Sequence, residues 1–503
     1  MTNISGKIFL FMLGVTFTLS QTIAARAAGI PKVSDSYYLA GQQLLSRNLA
    51  RQPITTPAKN IILFVGDGMG VSTVTATRIL AGQLKGGTGE EHVLSWETFP
   101  YTALAKTYNT NQQVPDSAGT ATAFLSGAKT KAGIIGLNQL VPRGNCKAVE
   151  GNHLDTILEL SEKAGLGTGI VTTTRLTHAT PAAAYAHSPD RAWENDSEIP
   201  LRERPYGCKD IALQFLEFSS GNGIDVAFGG GRKHFLPTDD GGERTDGRNL
   251  VAEWKKRHKK AQYVQNNKGF DTLNLTKSGP VLGLFNSSHM AYEADRVVDK
   301  TGEPSLVDMT AKAIKILQKK DSGFFLLVEA GRIDHGHHKG NAYRALHDGV
   351  ALAKAVEIAK DLTNAQETMI IVTADHSHGF VMTGYPTRGN PILGKVVSNS
   401  KRDGKKQDYE TLAHDGGPYT TLGYYNGRGA QKTPGRSNLT DVDTEAKDFI
   451  QQALVPTKSE THAGEDVAIY ADGPGAYLLQ GVVEQNYIFH VMQHALRLQE
   501  RLK

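Results

Sequence analysis

Short apolar runs that end at glycine or acidic residues most restrict the fold of this chain. Asn60-Ile-Ile-Leu-Phe-Val65 leads directly into Gly66-Asp67-Gly68, and Gly323-Phe-Phe-Leu-Leu-Val328 leads into Glu329. Continuous apolar runs of this length are typical of parallel strands that are buried on both faces. The same reasoning predicts further strands at residues 169–174, 369–373, 467–470 and 476–479.

Segments with helical spacing separate these runs. Leu154 to Ala164 has helical periodicity and ends at Gly165, a residue type favoured just beyond a helix C-terminus. Residues 347–362 and 482–498 are also expected to be helical. The alternation of strands and helices predicts an α/β fold, a three-layer sandwich in which helices flank a large, mostly parallel central sheet.

The 503 residues are expected to form one large domain after residue 27. Residues 28 to about 58 have the pattern of an N-terminal arm with some helical character, followed by Pro53 and Pro57. Residues from about 380 to 455 are rich in Gly, Lys, Asn and Thr and show poor periodicity. We interpret that stretch as a surface insertion within the domain.

Residues 1–27 have the pattern of a signal peptide. Lys7 supplies a positive charge, Ile8 to Leu19 is a short apolar run, and Ala25-Arg26-Ala27 is a small-x-small cleavage site. This predicts a periplasmic or secreted protein. The alternative is a single membrane anchor, which the shortness of the run disfavours. The charged residues at 496–503 argue against a lipid-anchor tail, so no membrane anchor is predicted.

Charge and cysteine content restrict the partners and the covalent structure. A net charge of +4 is too small to indicate a nucleic-acid surface, so no nucleic-acid-specific binding is predicted. The two cysteines are Cys146 and Cys208. An even number of cysteines in an exported protein favours a disulfide, and two buried free thiols are the alternative.

Acidic residues and histidines follow the predicted strands. Asp67 follows one strand, Glu329 and Asp334 follow another, and Asp375-His376 follows a third. Ligands of open parallel sheets bind beyond the carboxyl ends of the strands, so we expect these side chains to meet at one edge. A single Asp after a strand is usually a turn former or a helix cap, but this repetition favours a shared site.

The segment Glu329 to His338 is the richest in candidate metal ligands. Asp334 and His338 are four residues apart, so both can face one metal from a helical turn. Imidazole nitrogen and carboxylate oxygen are ligands that zinc accepts. His335 and His337 are each either ligands or residues that support the ligands. His378 is equally ambiguous, and His462 by itself resembles a surface residue.

The candidate nucleophile is Ser117, in Pro115-Asp-Ser-Ala-Gly-Thr-Ala121. It is expected at a helix N-terminus, where backbone N–H groups favour anions, although a plain N-cap serine explains the position as well. Thr177-His178-Ala-Thr180-Pro181 follows another predicted strand. Arg191 can hold two phosphate oxygens with its planar guanidinium, but a single arginine is usually a solvated surface group.

The chain resembles alkaline phosphatases, and the animal-type enzymes in particular, over nearly all of its mature length. The matching stretches, in order, are Phe64-Val-Gly-Asp-Gly-Met-Gly70, Pro115-Asp-Ser-Ala-Gly-Thr-Ala121, Val171-Thr-Thr-Thr-Arg175, His178-Ala-Thr-Pro181, Gly229-Gly-Gly-Arg-Lys233, Val328-Glu-Ala-Gly-Arg-Ile-Asp-His-Gly-His-His338, Thr373-Ala-Asp-His-Ser-His378 and Thr461-His-Ala-Gly-Glu-Asp466. The resemblance implies hydrolysis of phosphate monoesters through a phosphoserine intermediate, with two zinc ions and one magnesium ion per subunit.

The resemblance also implies roles for individual residues. Ser117 would be the nucleophile and Arg191 would hold the phosphate. The first zinc would be held by Asp334, His338 and His462; the second by Asp67, Asp375, His376 and Ser117; and the magnesium by Asp67, Thr180 and Glu329, with His178 beside it. The family further implies a Cys146–Cys208 disulfide and a homodimer in which the N-terminal arm embraces the partner. The 380–455 insertion would correspond to its crown-like element.

Three positions depart from the family pattern. His178 stands where some bacterial members have an acid, which leaves the third site with one fewer carboxylate. His335 stands where some members have lysine. Asn286 follows Gly283-Leu-Phe285 where animal enzymes have a glutamate that serves a fourth, calcium-like site, so that site is not predicted.

Two other functions remain as alternatives at this point. A phosphodiesterase or sulfatase can use a related metal scaffold, although Ser117-Ala-Gly-Thr-Ala121 lacks the sulfatase pattern Cys/Ser-x-Pro-x-Arg. A non-catalytic scavenger of zinc or phosphate would keep the metal ligands but would need neither Ser117 nor Arg191.

Overall fold

The computed structural model describes residues 35–276, 279–296, 302–431 and 435–503. The chain separates into two compact units, one up to Gln52 and one from Pro53 to Lys503. The predicted signal peptide at residues 1–27 lies outside the described residues. In the first unit, helix α1 (Ser36–Ala50) begins after Asp35, whose carboxylate accepts hydrogen bonds from the backbone N–H groups of Tyr37 and Tyr38. None of its residues is buried.

The second unit contains the strands and the other helices of the described part of the chain. The strands are β1 Asn60–Gly66, β2 Tyr101–Lys106, β3 Gly167–Arg175, β4 Val226–Gly230, β5 Gln262–Val264, β6 Val281–Leu284, β7 Phe324–Ala330, β8 Thr368–Ala374, β9 Ser377–His378, β10 Phe380–Met382, β11 Leu422–Gly427, β12 Ala453–Pro456, β13 His462–Ala463, β14 Val467–Asp472 and β15 Gly481–Glu484. The helices are α2 Val71–Gln83, α3 Ser117–Ser126, α4 Ile157–Lys163, α5 Ala179–Ala182, α6 Ile211–Glu217, α7 Leu250–Arg257, α8 Asn267–Asp271, α9 Glu293–Arg296, α10 Leu306–Leu317, α11 Arg332–His338, α12 Ala342–Leu362, α13 Tyr487–Ala495 and α14 Leu498–Arg501.

Within the described residues, ten strands form one sheet in the order β15-β2-β14-β8-β1-β7-β3-β4-β6-β5. Only β14 runs antiparallel to its neighbours, β2 and β8. Helices α2, α10 and α12 pack together as one layer, and α3, α4 and α13 pack together as another. The central strands β1, β7 and β8 are almost completely buried. The predicted α/β sandwich with a mostly parallel sheet is therefore confirmed.

Two predictions near the C-terminus are wrong. Residues 476–479 were expected to be a strand, but Ala476–Leu478 is a 3₁₀ turn that follows Gly475 in the left-handed region, at φ 81°. The apolar side chains there are buried in the core, so burial rather than strand pairing explains the pattern. Residues 482–484, expected to open the last helix, instead belong to β15, which pairs with β2 at the edge of the sheet. The helix begins at Tyr487.

The region predicted as an insertion, at about 380–455, carries a small sheet with the order β10-β11-β12. Phe380, Leu422 and Tyr424 are buried in the main core, so the base of this region is continuous with the domain. The bounds of the insertion stay a prediction. Among the described residues, no helix has the length and apolar character needed to cross a membrane.

Cys146 and Cys208 form a disulfide, and no free cysteine remains. Cys146 packs with Trp193 and Ile199 in a small apolar cluster apart from the main core. The bridge closes a sequence separation of 62 residues. A cross-link of that length restricts the unfolded chain and contributes about 4 kcal/mol in the loop-entropy model.

Replacing both cysteines by alanine should lower the free energy of unfolding by about 2–4 kcal/mol, because the unfolded chain regains the freedom that the bridge removes. The midpoint of guanidinium unfolding, followed by circular dichroism, measures this. An unchanged midpoint would contradict the prediction. The variant should keep its secondary structure, since the bridge lies outside the main core.

Candidate active site

The carboxyl ends of three adjacent parallel strands define the site. In the register of β1, β7 and β8, Val65 lies opposite both Glu329 and Thr373. Asp67 follows β1 and Asp375 follows β8, so these carboxylates and Glu329 lie at one edge of the sheet. The turn after β1 requires Gly68, which has φ +72° and approaches the ring of His378 so closely that a Cβ atom would lie 2.5 Å from it.

Asp334, His338 and His462 converge at one point beyond this edge. Oδ1 of Asp334 lies 3.3 Å from Nε2 of His338 and 3.4 Å from Nε2 of His462, and the two Nε2 atoms are 3.1 Å apart. Nδ1 of His338 donates to the carbonyl of Glu460 at 2.6 Å, and Nδ1 of His462 donates to that of Pro115 at 2.8 Å. Each neutral ring therefore carries its proton on Nδ1 and directs the Nε2 lone pair at the same point.

Glu460, which the sequence patterns did not reveal, supports this cluster through His378. Nδ1 of His378 donates to Glu460 at 2.5 Å and Nε2 donates to Asp334 at 2.8 Å. Burial lowers the pKa of His378, but these two carboxylates outweigh it and raise the pKa to about 10. Because both ring nitrogens are donors, His378 orients Asp334 rather than offering a lone pair.

Burial raises the pKa of Asp334, but His338, His378 and His462 together hold it well below its usual range. Asp334 is thus an ionised carboxylate. It is surrounded by imidazoles whose orientations are fixed by backbone carbonyls and by Glu460. Such a group has the composition and the tautomers of a zinc site.

Ser117, Asp375 and His376 form a second cluster next to the first. Nε2 of His376 lies 3.2 Å from Oγ of Ser117, 3.2 Å from Asp375 and 3.5 Å from Asp67. The ring of His376 stacks on that of His462, with centroids 3.5 Å apart. All of these side chains except that of His462 are buried. The two clusters therefore lie side by side.

Asp116, not Ser117, is the N-cap of α3. Its carboxylate accepts hydrogen bonds from the backbone N–H groups of Gly119 at 3.2 Å and Gly133 at 2.9 Å. Ser117 occupies the first helical position and its hydroxyl faces His376. The alternative that Ser117 is a plain capping residue is therefore wrong.

A third group of side chains consists of buried polar atoms that lack partners. Among the described residues, no hydrogen bond is made by either carboxylate oxygen of Asp67, by Oε1 of Glu329, by Oγ1 of Thr180 or by Nδ1 of His178. Oε2 of Glu329 accepts from Thr172, in a short contact, and from Thr174 at 3.0 Å. Buried polar groups without partners are costly, and several oxygens together fit a hard cation such as magnesium.

The electrostatics of these oxygens also indicate cations. Burial raises the pKa of Asp67 well above its usual range, and the charges of Asp375, Asp334 and Glu329 raise it further. Burial raises the pKa of Glu329 to about 7 and also raises that of Asp375. Several buried carboxylates repel one another unless positive charge lies between them.

Arg191 bonds to Asp116, the residue that directly precedes Ser117. Nη1 donates to Asp116 at 3.1 Å, and Nη2 donates to Nε2 of His178 at 3.1 Å. Sequence reasoning assigned this arginine little weight, because no local pattern indicated its contact with the N-cap residue. The same bond engages Nε2 of His178, so the ring proton lies on Nδ1, which has no partner among the described residues.

The remaining histidines of the His-rich segment have separate positions. His337 is buried, and both of its nitrogens are engaged by the hydroxyls of Tyr424 at 2.8 Å and Thr73 at 3.0 Å. His335 packs beside the rings of His178 and His289. Both residues therefore lie around the site, while Asp334 and His338 point into it.

This fold and site define a metal-dependent enzyme of the α/β class in which a serine faces candidate metal ligands. Residues 58–498 match the family model described as alkaline phosphatase. The chain is 49% identical over 453 residues to the tissue-nonspecific alkaline phosphatase of Gallus gallus, covering 87% of this chain and 84% of that one. It is 47% identical over 469 residues to the alkaline phosphatase of Gadus morhua, covering 90% and 95%.

A solved structure supports the same assignment. The alkaline phosphatase of Thermus thermophilus aligns with a TM-score of 0.63 and 26% identity, covering 89% of this chain and 93% of that one. The chain belongs to the alkaline phosphatase family. It hydrolyses phosphate monoesters, and the family is metal-dependent.

The stability gained from bound metal should increase with pH. The pKa of Glu329 rises from an ordinary 4.5 to about 7 on folding, so its protonated form stabilises the metal-free fold below pH 4.5 and that contribution is lost as pH rises through about 7. Asp67, Asp375 and His378 have raised pKa values and act with the same sign. Histidines whose pKa is lowered are neutral in the folded protein with and without metal, so they cancel in the stability gained from metal.

The increase in melting temperature that metal gives over chelator-treated protein should therefore be larger at about pH 8.5 than at about pH 6.5. Differential scanning calorimetry of both forms at the two pH values measures the difference. A metal-induced increase in melting temperature that is the same at both pH values would contradict this electrostatic account.

Proposed function

We propose that the chain hydrolyses phosphate monoesters through a phosphoserine at Ser117, with two zinc ions and one magnesium ion in each subunit. The observation that carries this proposal is the 3.2 Å contact of Ser117 Oγ with Nε2 of His376, next to carboxylate oxygens of Asp67 and Asp375 that lack hydrogen-bond partners. In this proposal the first zinc is held by Asp334, His338 and His462; the second by Asp67, Asp375, His376 and Ser117; and the magnesium by Asp67, Thr180 and Glu329.

His178 is the least direct member of this set. Its Nε2 accepts from Arg191, so Nδ1 carries the ring proton and His178 can serve the magnesium site only by donating from Nδ1 to an oxygen ligand. Its role as a ligand stays a prediction. The donor sets otherwise fit the ions, because imidazoles dominate the first site and oxygens dominate the third.

The metals would supply positive charge to the phosphate oxygens and lower the pKa of the Ser117 hydroxyl. Ser117 Oγ attacks the phosphorus in line with the leaving alcohol, and water then hydrolyses the phosphoserine to release inorganic phosphate. The N-terminus of α3 directs its positive end at the phosphate. Arg191 donates its remaining N–H groups to two phosphate oxygens, held in place by Asp116 and His178.

The proposal extends to location and assembly. A signal peptide at residues 1–27 would direct the protein to the periplasm or the exterior, and the disulfide suits an oxidising compartment. Apolar side chains on α1, such as Leu45 and Leu49, are exposed. In a homodimer the partner subunit would bury them. Size-exclusion chromatography with light scattering measures the subunit number directly.

Ser117→Ala should reduce kcat for 4-nitrophenyl phosphate by at least about a thousandfold, because the nucleophile is lost while the metal ligands remain. The matched control is Ser126→Ala at the other end of α3, whose hydroxyl donates to the carbonyl of Thr122. Full activity in Ser117→Ala would refute the phosphoserine route. Loss of activity in both variants would point to damage to the helix.

Three esters of one phenol separate the alternative reactions. The enzyme should cleave 4-nitrophenyl phosphate far faster than bis(4-nitrophenyl) phosphate or 4-nitrophenyl sulfate, because Arg191 and the metals are arranged for the charge of a monoester. Addition of a chelator should abolish the reaction. Faster cleavage of the diester or the sulfate, or chelator-insensitive turnover, would contradict the proposal.

A further inference from the structure

Beside Arg191 lies a group of three histidine rings, of which the proposed mechanism uses only His178. The rings of His178 and His289 meet edge to face, with centroids 5.2 Å apart at 78°. His335 closes the group, 5.6 Å from His178 and 4.2 Å from His289. No motif in the sequence analysis pointed to His289, which lies in the loop after β6.

The spacing of these three rings would suit a cation site, but the positions of their ring protons argue against one. One nitrogen from each ring lies within 4.8 Å of the others. Arg191, however, donates to Nε2 of His178, and Arg175 donates to Nε2 of His289 in a short contact. Arginine only donates, so each neutral ring carries its proton on Nδ1. Two of the three rings therefore offer N–H groups where a metal would need lone pairs.

Arg175 is held rigidly on the other side by a buried carboxylate. Glu194 accepts from Nε of Arg175 at 2.7 Å and from Nη2 at 2.5 Å. The same carboxylate accepts from Thr177 Oγ1 at 2.5 Å. Because this two-point pairing fixes the plane of the guanidinium, Nη1 can point in only one direction, towards Nε2 of His289.

The contacts then continue to the phosphate site. Arg175 fixes the ring of His289, and His289 packs edge to face against His178. His178 in turn receives Nη2 of Arg191 at 3.1 Å. If the ring of His178 turned, Nε2 would leave Arg191, which would then be held only by Asp116.

We propose that His289, fixed by the Arg175–Glu194 pair, is a positioning residue that sets the orientation of Arg191 through His178. The inference rests on the proposed role of Arg191 in holding phosphate. His289 touches neither substrate nor metal in this account. Its effect is on how tightly phosphate and phosphate esters are bound.

His289→Leu replaces the ring that accepts from Arg175 with an apolar side chain of similar bulk. KM for 4-nitrophenyl phosphate and the inhibition constant of inorganic phosphate should both rise about five- to tenfold, with kcat changed less than about threefold, because Arg191 contacts phosphate in ground and transition states alike. His289→Gln keeps an acceptor, so both constants should stay within about threefold of wild type. His153→Leu is the matched control, since His153 stacks on His187 at 4.6 Å outside the site.

A double-mutant comparison separates this inference from the proposed function. Arg191→Ala should raise the phosphate inhibition constant, and His289→Leu should add little in that background. If Arg191→Ala leaves the constant unchanged, the proposed role of Arg191 fails. If Arg191→Ala raises it but His289→Leu alone does not, only the present inference fails.

Two further outcomes would overturn the inference. The first is an equal rise in the phosphate inhibition constant for His289→Leu and His289→Gln. That result would show that the hydrogen bond from Arg175 is not the cause of the rise. The second is a lower melting temperature for His289→Leu with KM and the inhibition constant unchanged, which would make His289 a residue of stability alone. The expected result is a change in both binding constants at a melting temperature close to that of wild type.

Discussion

Repulsion among buried carboxylates is the constraint on which the rest of the site depends. Asp67, Glu329, Asp334 and Asp375 lie almost completely out of water at one edge of the sheet. Burial and mutual charge raise the pKa of three of them, and only Asp334 is compensated, by surrounding imidazoles. A fold that keeps such a group ionised must supply cations, since isolated buried charges are too costly to retain. The metal dependence of the family follows from this arrangement.

The fold prepares the imidazoles for the same cations. Backbone carbonyls accept the Nδ1 protons of His338 and His462, so their Nε2 lone pairs converge before any ion binds. His378 acts in the opposite way, because Asp334 and Glu460 keep it protonated up to about pH 10. Neighbouring histidines thus differ in role because their hydrogen-bond partners differ.

The sequence predicted the elements that local pattern determines. Apolar runs located β1, β7 and β8, and the position of Asp67, Glu329 and Asp375 after or within them predicted that they share one edge. Local sequence pattern did not predict the features that long-range contacts determine. Residues 482–484 became a strand because β2 offers a free edge, and the carboxylates of Asp116 and Glu460 gained their roles from residues 75 and 82 positions away. Tertiary packing sets those contacts, and no local periodicity records it.

The most direct test is the anomalous scattering of crystals of the metal-loaded enzyme, measured on both sides of the zinc absorption edge. The account predicts one zinc peak enclosed by Asp334, His338 and His462, and a second enclosed by Asp67, Asp375 and His376 next to Ser117. About 4 Å should separate the two peaks, the spacing of sites that act on one phosphate. A single peak, or peaks away from these residues, would contradict the account.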